Sequence, residues 1–310
     1  MENLKTVCAI VVTFNRKVLL CRCLTNILKQ SYRVSQLIVV DNNSYDSSQE
    51  FVQTKLEEVI LSSNIKFSWK RLDNNLGGAG GFHAGVEEFI QSSNCDYVWL
   101  MDDDGYPNPC CLEKLLKYSD NNSYIGPLVL SDKDKKSLAF PIRLPSSLKT
   151  IDNLKDLKDN QKELLRVVLP FNGTLISREI VTRIGSPDPK YFIWGDEVDY
   201  TERAKKFGAN ISTICDAFYY HPKSENLGAP MFFNLLRYNH PSSSLKLYCY
   251  CRNNFINKRK YSGFLSAILF SAKTLWFYTI TYPSLSDLKV SLKAFWHGIH
   301  KDFSHHKDYL

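Results

Sequence analysis

An unbroken acidic triplet, Asp102-Asp103-Asp104, closes the apolar run Asp96-Tyr-Val-Trp-Leu-Met101. In an extended chain residues i and i+2 project to the same side, so Asp102 and Asp104 are expected to converge while Asp103 points elsewhere. Converging carboxylates repel one another unless a cation sits near them. A hard oxygen set with no soft donor suits Mg²⁺ or Mn²⁺. The competing reading is a solvated acidic turn, which Gly105, Pro107 and Pro109 favour.

Three further constellations carry chemistry. Asn74-Asn-Leu-Gly-Gly-Ala-Gly-Gly-Phe82 is a glycine-dense loop leading into a helical stretch, His83–Phe89. Glycines let backbone approach a ligand closely, and a helix N-terminus favours anions. The loop matches neither Gly-x-Gly-x-x-Gly nor the phosphate loop with its lysine. Tyr191-Phe-Ile-Trp-Gly-Asp-Glu-Val-Asp-Tyr-Thr-Glu-Arg203 sets aromatics ahead of acids. Asp196 there reads as a helix N-cap, with Glu197 and Asp199 in the first turn. A carboxylate at that place beside Trp194 is also placed to accept a proton. His221, after the strand-like Ile211–Tyr220 and before Pro222, reads as a metal ligand, a phosphate donor or ordinary polar packing.

Positioning these groups requires a layered α/β fold. Thr6–Thr13 is a nearly continuous apolar run, as expected of a strand buried on both faces. Asn15 is a candidate helix cap, and helical periodicity runs from Arg16 to Gln30. A second strand, Gln36–Asp41, ends on an acid, and a second helix covers Ser47–Ile60. Phe67–Leu72 and Asp96–Met101 read as further strands. This alternation predicts a doubly wound α/β domain, with Asp41, Asn74–Gly81 and Asp102–Asp104 gathered at the carboxyl ends of the strands. Residues 131–165, rich in Lys, Asp and Ser, read as an exposed excursion. Beyond about Asn226 the composition turns basic and aromatic, so the expected domains are 1–230 and 231–310.

The 310 residues carry 39 Lys and Arg against 32 Asp and Glu. That excess is unevenly divided: residues 231–310 hold 11 basic and 3 acidic side chains, leaving the rest near neutral. Nine cysteines include the tight pairs Cys21/Cys23 and Cys110/Cys111 but no Cys-x-x-Cys, which points to free thiols in a reducing cytosol rather than a zinc site. The short apolar run Val7–Val12 lacks a small-residue cleavage site, against a signal peptide.

Taken together, the strand ending in Val-Thr-Phe-Asn-Arg16, Asp41, the Asp-x-Asp and the later Asp/Glu pair resemble the family 2 inverting glycosyltransferases over residues 5–225. Asn75–Phe82, Trp99–Asp104 and Trp194-Gly-Asp-Glu197 look like the galactofuranosyltransferase branch, with rhamnosyltransferases as near relatives. The resemblance implies a GT-A fold, a Rossmann-like, mostly parallel mixed sheet flanked by helices, with a helical C-terminal extension. It implies transfer of galactofuranose from UDP-galactofuranose, with Mn²⁺ or Mg²⁺, onto a growing surface polysaccharide such as an O-antigen or capsule. The acceptor is expected to be lipid-linked, and a dTDP-rhamnose donor or a non-catalytic binding module are the alternatives. Carried over by motif, Thr13, Phe14, Arg16 and Asp41 line the nucleotide pocket. Asn75, Gly77, Gly78, Gly80, Gly81 and Trp194 lie along the donor, with Asp102 and Asp103. Asp102, Asp104 and His221 hold the metal, Asp196 is the base and Glu197 orients base or acceptor. Gly195 stands where that branch often has an acid, and Asp199 adds a rival carboxylate.

The tail adds two features. Tyr248-Cys-Tyr-Cys-Arg-Asn253 is similar to a Tyr-x-x-x-Arg-Asn stretch that follows the catalytic domain in family 2 enzymes, expected to cover the site or bind acceptor. Lys258-Arg-Lys260 then precedes the apolar stretch Gly263–Tyr282. Lys273 near its centre disfavours a membrane span and favours a helix lying on an anionic membrane or packed within the protein. The expected location is cytoplasmic, with a peripheral place on the inner membrane and a homo-oligomer both left open. No nucleic-acid module is recognisable.

Overall fold

The computed structural model describes residues 4–144, 150–223, 228–232 and 235–310. The change of composition near Asn226 and part of the 131–165 excursion lie outside the described residues. The first half alternates strand and helix: β1 (Val7–Thr13), α1 (Lys17–Leu28), β2 (Gln36–Asp41), α2 (Ser48–Ser62), β3 (Lys66–Arg71), α3 (Gly77–Ser92) and β4 (Tyr97–Asp102). β1 lies between β2 and β4 and pairs with both in parallel, which explains its apolar run: neither face meets water. Each of its Val and Ile side chains contributes about 1.5–3 kcal/mol through burial.

The chain continues through β5 (Tyr106–Pro107), α4 (Cys111–Lys117), β6 (Ser123–Ser131), β7 (Ser137–Arg143), β8 (Thr150–Asn153), β9 (Glu163–Leu165), β10 (Asn172–Ser177), α5 (Arg178–Ile184), α6 (Asp196–Lys206) and β11 (Asn210–His221). The sheet order is β3-β2-β1-β4-β10-β6-β11-β5, with β7, β8 and β9 on side branches. β10 is antiparallel to both neighbours, β4 and β6, so the sheet is mixed although its first four strands are parallel. Trp99 is fully buried between them and donates its indole N–H to the Gly173 carbonyl at 2.8 Å.

Two expectations are corrected here. Residues 131–165 are not an exposed excursion: Leu138, Ile142, Ile151 and Leu164 bury with Leu128, Leu130 and Cys215 in a small core of their own. Single apolar residues among Lys, Asp and Ser gave short antiparallel strands with one dry face, a weaker pattern than a continuous run. Asn15 is not a helix cap either. It sits at φ +54°, its side-chain oxygen accepts from the Tyr45 N–H, and its own N–H donates to the Ser44 hydroxyl. The turn after β1 is thereby stitched to the turn after β2.

The glycine run is helical rather than a loop, because α3 begins at Gly77. A Cβ on Gly81 would lie 2.3 Å from Val12 Cγ1, and one on Gly85 would lie 2.6 Å from Ile10 Cγ2. Part of the run therefore exists so that α3 can lie close on β1.

The remaining elements are β12 (Ala229–Met231), β13 (Leu236–Tyr238), α7 (Ser244–Tyr261), α8 (Phe264–Trp276) and α9 (Leu285–His300). By packing the chain divides into two compact units. The first holds residues 1–76, 81–187 and 203–223, and the second holds 77–80, 188–202 and 224–310. The second unit thus draws in residues 188–202, well ahead of the boundary expected at 230. Its core joins Phe192 to Tyr248, Phe255, Phe270, Phe277 and Phe295 of the C-terminal helices.

Gly85→Ala forces its new methyl into Ile10 and Val40, and overpacking of this kind costs about 1–3 kcal/mol. Urea unfolding is expected to show a lowered midpoint with an unchanged slope.

Candidate active site

The acidic triplet does not behave as an extended strand. β4 ends at Asp102, and the backbone bends at 103–104, which breaks the two-residue alternation. The two carboxylates that share a partner are Asp103 and Asp104. The Arg16 guanidinium reaches Asp103 at 3.1 Å and Asp104 at 2.8 Å. Thr13, at the end of β1, donates its hydroxyl to Asp103 at 2.6 Å. Burial pushes the Asp103 carboxyl up to about 6, against the pull of Arg16 and Thr13. Arg16 is half exposed, so its ion pairs add little to stability and act mainly on local charge.

His221, at the end of β11, faces Asp104 with Nε2 3.0 Å from Oδ1. Its Nδ1 lies 2.7 Å from the Pro222 carbonyl, which can only accept, so Nδ1 carries a proton. In the neutral ring Nε2 then turns a lone pair toward a carboxylate oxygen. That oxygen, Asp104 Oδ1, is buried and has no other hydrogen-bond partner among the described residues. Such a contact is stable only with a proton or a cation between the two atoms. Burial would push Asp104 up, but His221 and Arg16 outweigh it and hold the carboxyl below its usual range. An oxygen and an imidazole nitrogen fit Mn²⁺ or Mg²⁺ as a two-residue set, with phosphate and water completing the shell. Among the described residues no group of three or more His, Cys, Asp or Glu converges as a metal site. Asp102 therefore does not complete a three-residue set with Asp104 and His221 among the described residues.

Asp41 is fully buried at the end of β2. Its Oδ1 accepts from the Ser44 N–H at 2.8 Å, whereas Oδ2 has no hydrogen-bond partner among the described residues and lies 3.6 Å from the Arg71 guanidinium. Phe14 meets Tyr45 edge to face, with ring centroids 6.2 Å apart and Phe14 partly exposed. Asn75 is half-buried just before α3.

In the second unit, Gly77 takes φ +70° with the Phe192 carbonyl where a Cβ would be, and Ala79 donates its N–H to that carbonyl at 3.0 Å. Gly78 is different: a Cβ there would meet nothing within 4 Å. The segment before α6 is bent sharply, with φ +67° at Phe192, +58° at Trp194 and +98° at Gly195. Left-handed non-glycine residues cost of order 1–3 kcal/mol each and persist only where neighbours impose them.

The imposing neighbours sit on α7. Asn253, fully buried, donates its amide to the carbonyls of Tyr191, Ile193 and Trp194. The buried Arg252 donates to the Tyr191 carbonyl at 2.9 Å. Asn257 donates to the Gly195 carbonyl at 2.7 Å and accepts from the Tyr191 hydroxyl at 2.6 Å. Residue 195 must be glycine because a Cβ would stand 2.8 Å from that of Asn253.

Asp196 opens α6 rather than capping it and is almost wholly buried. Glu197 turns back to accept the Gly195 N–H at 2.6 Å. Asp199 is bound by Lys260 at 2.6 Å and by the Tyr261 hydroxyl at 2.7 Å. Glu197 and Asp199 are thus engaged in holding the helix start. Trp194, partly exposed, lies edge-on to Tyr250 with the Lys246 ammonium 5.8 Å from its ring.

The family model for glycosyl transferase family 2 matches residues 8–185. The chain belongs to this family. Galactofuranosyltransferase GlfT1 of Mycolicibacterium smegmatis is 30% identical over 264 residues, covering 82% of this chain and 83% of GlfT1. Among solved structures, S. aureus TarS aligns with a TM-score of 0.59 at 13% identity, over 98% of this chain and 50% of TarS. The mannosyltransferase PcManGT from Pyrobaculum calidifontis, in complex with GDP-Man and Mn²⁺, gives 0.58 at 13% identity over 96% and 76%. At such identities the likeness concerns the fold, which is that of the GT-A glycosyltransferases.

In this glycosyltransferase the sequence motifs map onto two clusters. Thr13, Arg16, Asp103, Asp104 and His221 form one in the first unit, and Trp194, Asp196 and Glu197 share the bent segment of the second. Arg71 beside Asp41 carried no sequence signal. The grip of α7 did carry one: Asn253 and Asn257 fall one helical turn apart on a single face, with Arg252 next to Asn253.

Asn253→Ala removes this donor from the Ile193 and Trp194 carbonyls, while Tyr191 keeps Arg252, and is expected to lower stability by about 1–3 kcal/mol. Asn253→Asp, which sets carboxylate oxygens against those carbonyls, should be the more damaging. Urea unfolding of both variants, with transfer rates taken where each is fully folded, checks the order.

Proposed function

We propose that this family 2 enzyme transfers galactofuranose, with inversion, from UDP-galactofuranose onto a lipid-linked acceptor of a growing surface polysaccharide. The observation that carries the reading is the match to GlfT1 along more than four fifths of both chains. Other GT-A proteins support a nucleotide-sugar donor and a divalent metal: TarS is known in complex with UDP, and PcManGT in complex with GDP-Man and Mn²⁺.

Each residue's chemistry suits a step. Asp41 Oδ2, buried without a hydrogen-bond partner, suits the N–H of a pyrimidine base, and Phe14 offers a face for its ring. Asp104 and His221 would hold Mn²⁺ or Mg²⁺. When bound, the ion neutralises charge that develops on the departing diphosphate. Asp196 accepts the proton of the acceptor hydroxyl as its oxygen attacks the anomeric carbon. The new carbon–oxygen bond forms opposite the breaking bond to UDP, so the centre inverts and one carboxylate suffices, unlike the flanking pair that glycoside hydrolysis uses. Asp199, with Lys260 and Tyr261 on the same oxygen, is poorly suited to that role. Glu197 fixes the Gly195 N–H and so the direction from which Asp196 acts.

Asp196→Asn is expected to lower kcat by roughly 10²–10⁴-fold while the nucleotide-sugar still binds, as followed by calorimetry and a product assay. Turnover close to wild type would remove Asp196 as the base. Chelation is expected to abolish transfer and added Mn²⁺ to restore it, with Asp104→Ala inactive at any Mn²⁺ concentration. The deciding assay for the donor compares UDP-galactofuranose, dTDP-rhamnose and UDP-hexopyranoses on one lipid-linked acceptor. A preference for dTDP-rhamnose would replace the galactofuranose reading.

A further inference from the structure

α8 is apolar on every side. Its inner side, Ala267, Phe270 and Thr274, packs within the second unit, and the Thr274 hydroxyl accepts from Tyr238 at 3.2 Å. Its outer side reads Phe264, Leu265, Ile268, Leu269 and Trp276, continuing to Ile280, and all are exposed. These positions follow the helical period, so they form one stripe without a charged residue. A solvated helix carries polar residues on that side. Of the 18 residues Phe264–Thr281, long and apolar enough to cross a bilayer, only 28% are buried.

Crossing is disfavoured by the helix's own contacts. Lys273 donates its ammonium to the Arg237 carbonyl, which ties α8 to β13 within the folded unit. α9 runs back alongside, with Phe295 against Phe270. Its exposed stripe alternates Leu285, Lys289, Leu292, Lys293, Trp296 and Ile299. Arg259 closes the end of the pair, its guanidinium 5.9 Å from the Phe264 ring and donating to the Ile299 carbonyl. Between Ser262 and Lys301 the sole acidic residue is Asp287, in the first turn of α9.

From this pattern we propose that the outer side of α8 and α9 docks on an anionic lipid bilayer, lying in the plane of the interface. The apolar stripe of α8 would enter the acyl boundary, the lysines of α9 would reach headgroup phosphates, and Trp276 and Trp296 would sit at the level between them. Charge selects this occupant over a second copy of the chain. Contact surfaces between proteins are depleted of lysine at their centres, whereas Lys289 and Lys293 interleave with the apolar residues of α9. A lysine stem can also lie along apolar surface while its ammonium reaches outward to phosphate.

The test uses the full chain in flotation with vesicles of phosphatidylcholine alone or with 30% phosphatidylglycerol, at low and high salt. Binding is expected to the anionic vesicles, weakened by salt. Lys289→Gln/Lys293→Gln should weaken it roughly 25-fold, at about fivefold per lysine. Leu269→Glu, on the exposed stripe, should abolish flotation with an unchanged melting temperature. Failure of the wild type to float with anionic vesicles at low salt would overturn the proposal. So would wild-type flotation by both variants, or a dimer in size exclusion that Leu269→Glu dissociates while vesicles are ignored. None of these outcomes depends on the donor sugar.

Discussion

The parallel pairing of β1 with β4 sets Val12 opposite Asp102, and the acidic end of the sheet depends on that alignment. It brings the Thr13 hydroxyl and the Arg16 guanidinium, from the end of one strand, onto the acids that follow the other. Because β1 is buried on both sides, a register slip would move its apolar residues relative to both neighbours at once. The alignment is therefore secured by the whole core, and the charged groups inherit it. Gly81 and Gly85 serve the same end by letting α3 lie against Val12 and Ile10.

The second unit follows a different principle. Its reactive segment is not regular structure extended to an end but a strained stretch, held by side-chain amides. Tyr191, Ile193, Trp194 and Gly195 give their carbonyls to Arg252, Asn253 and Asn257, which stand buried on one helix. A buried guanidinium and amides fully occupied in this way resist alternatives, since any other backbone path leaves donors without acceptors. Asp196 thus starts α6 from a backbone that has little freedom to move.

Much of the sheet was legible because burial on both faces leaves a plain mark: continuous apolar runs ended by Asp41 and Asp102. The places where reading failed share a cause. The i, i+2 rule for Asp102 and Asp104 assumed extended backbone, and the bend at 103–104 removed that premise. The glycines of α3 read as ligand-facing loop because composition does not tell a turn from a close helix–strand contact. Residues 131–165 carried too few apolar positions to announce a half-buried sheet edge. His221 and Asp104 were both legible as candidates, but their mutual approach comes from β11 pairing with β5, which sets Tyr220 opposite Tyr106 although the strands lie far apart in sequence.

The α7 grip also bears on how such chains can be cut and recombined. The region matching the family model ends at residue 185, yet the acid that opens α6 and the side chains that shape its approach lie beyond, out to Tyr261. A chimera joined at the change of composition near 230 would separate the bent segment from the donors that bend it, whereas a junction at 185 keeps them together. An exchange between relatives therefore has to move residues 188–202 together with α7, whose side chains hold them.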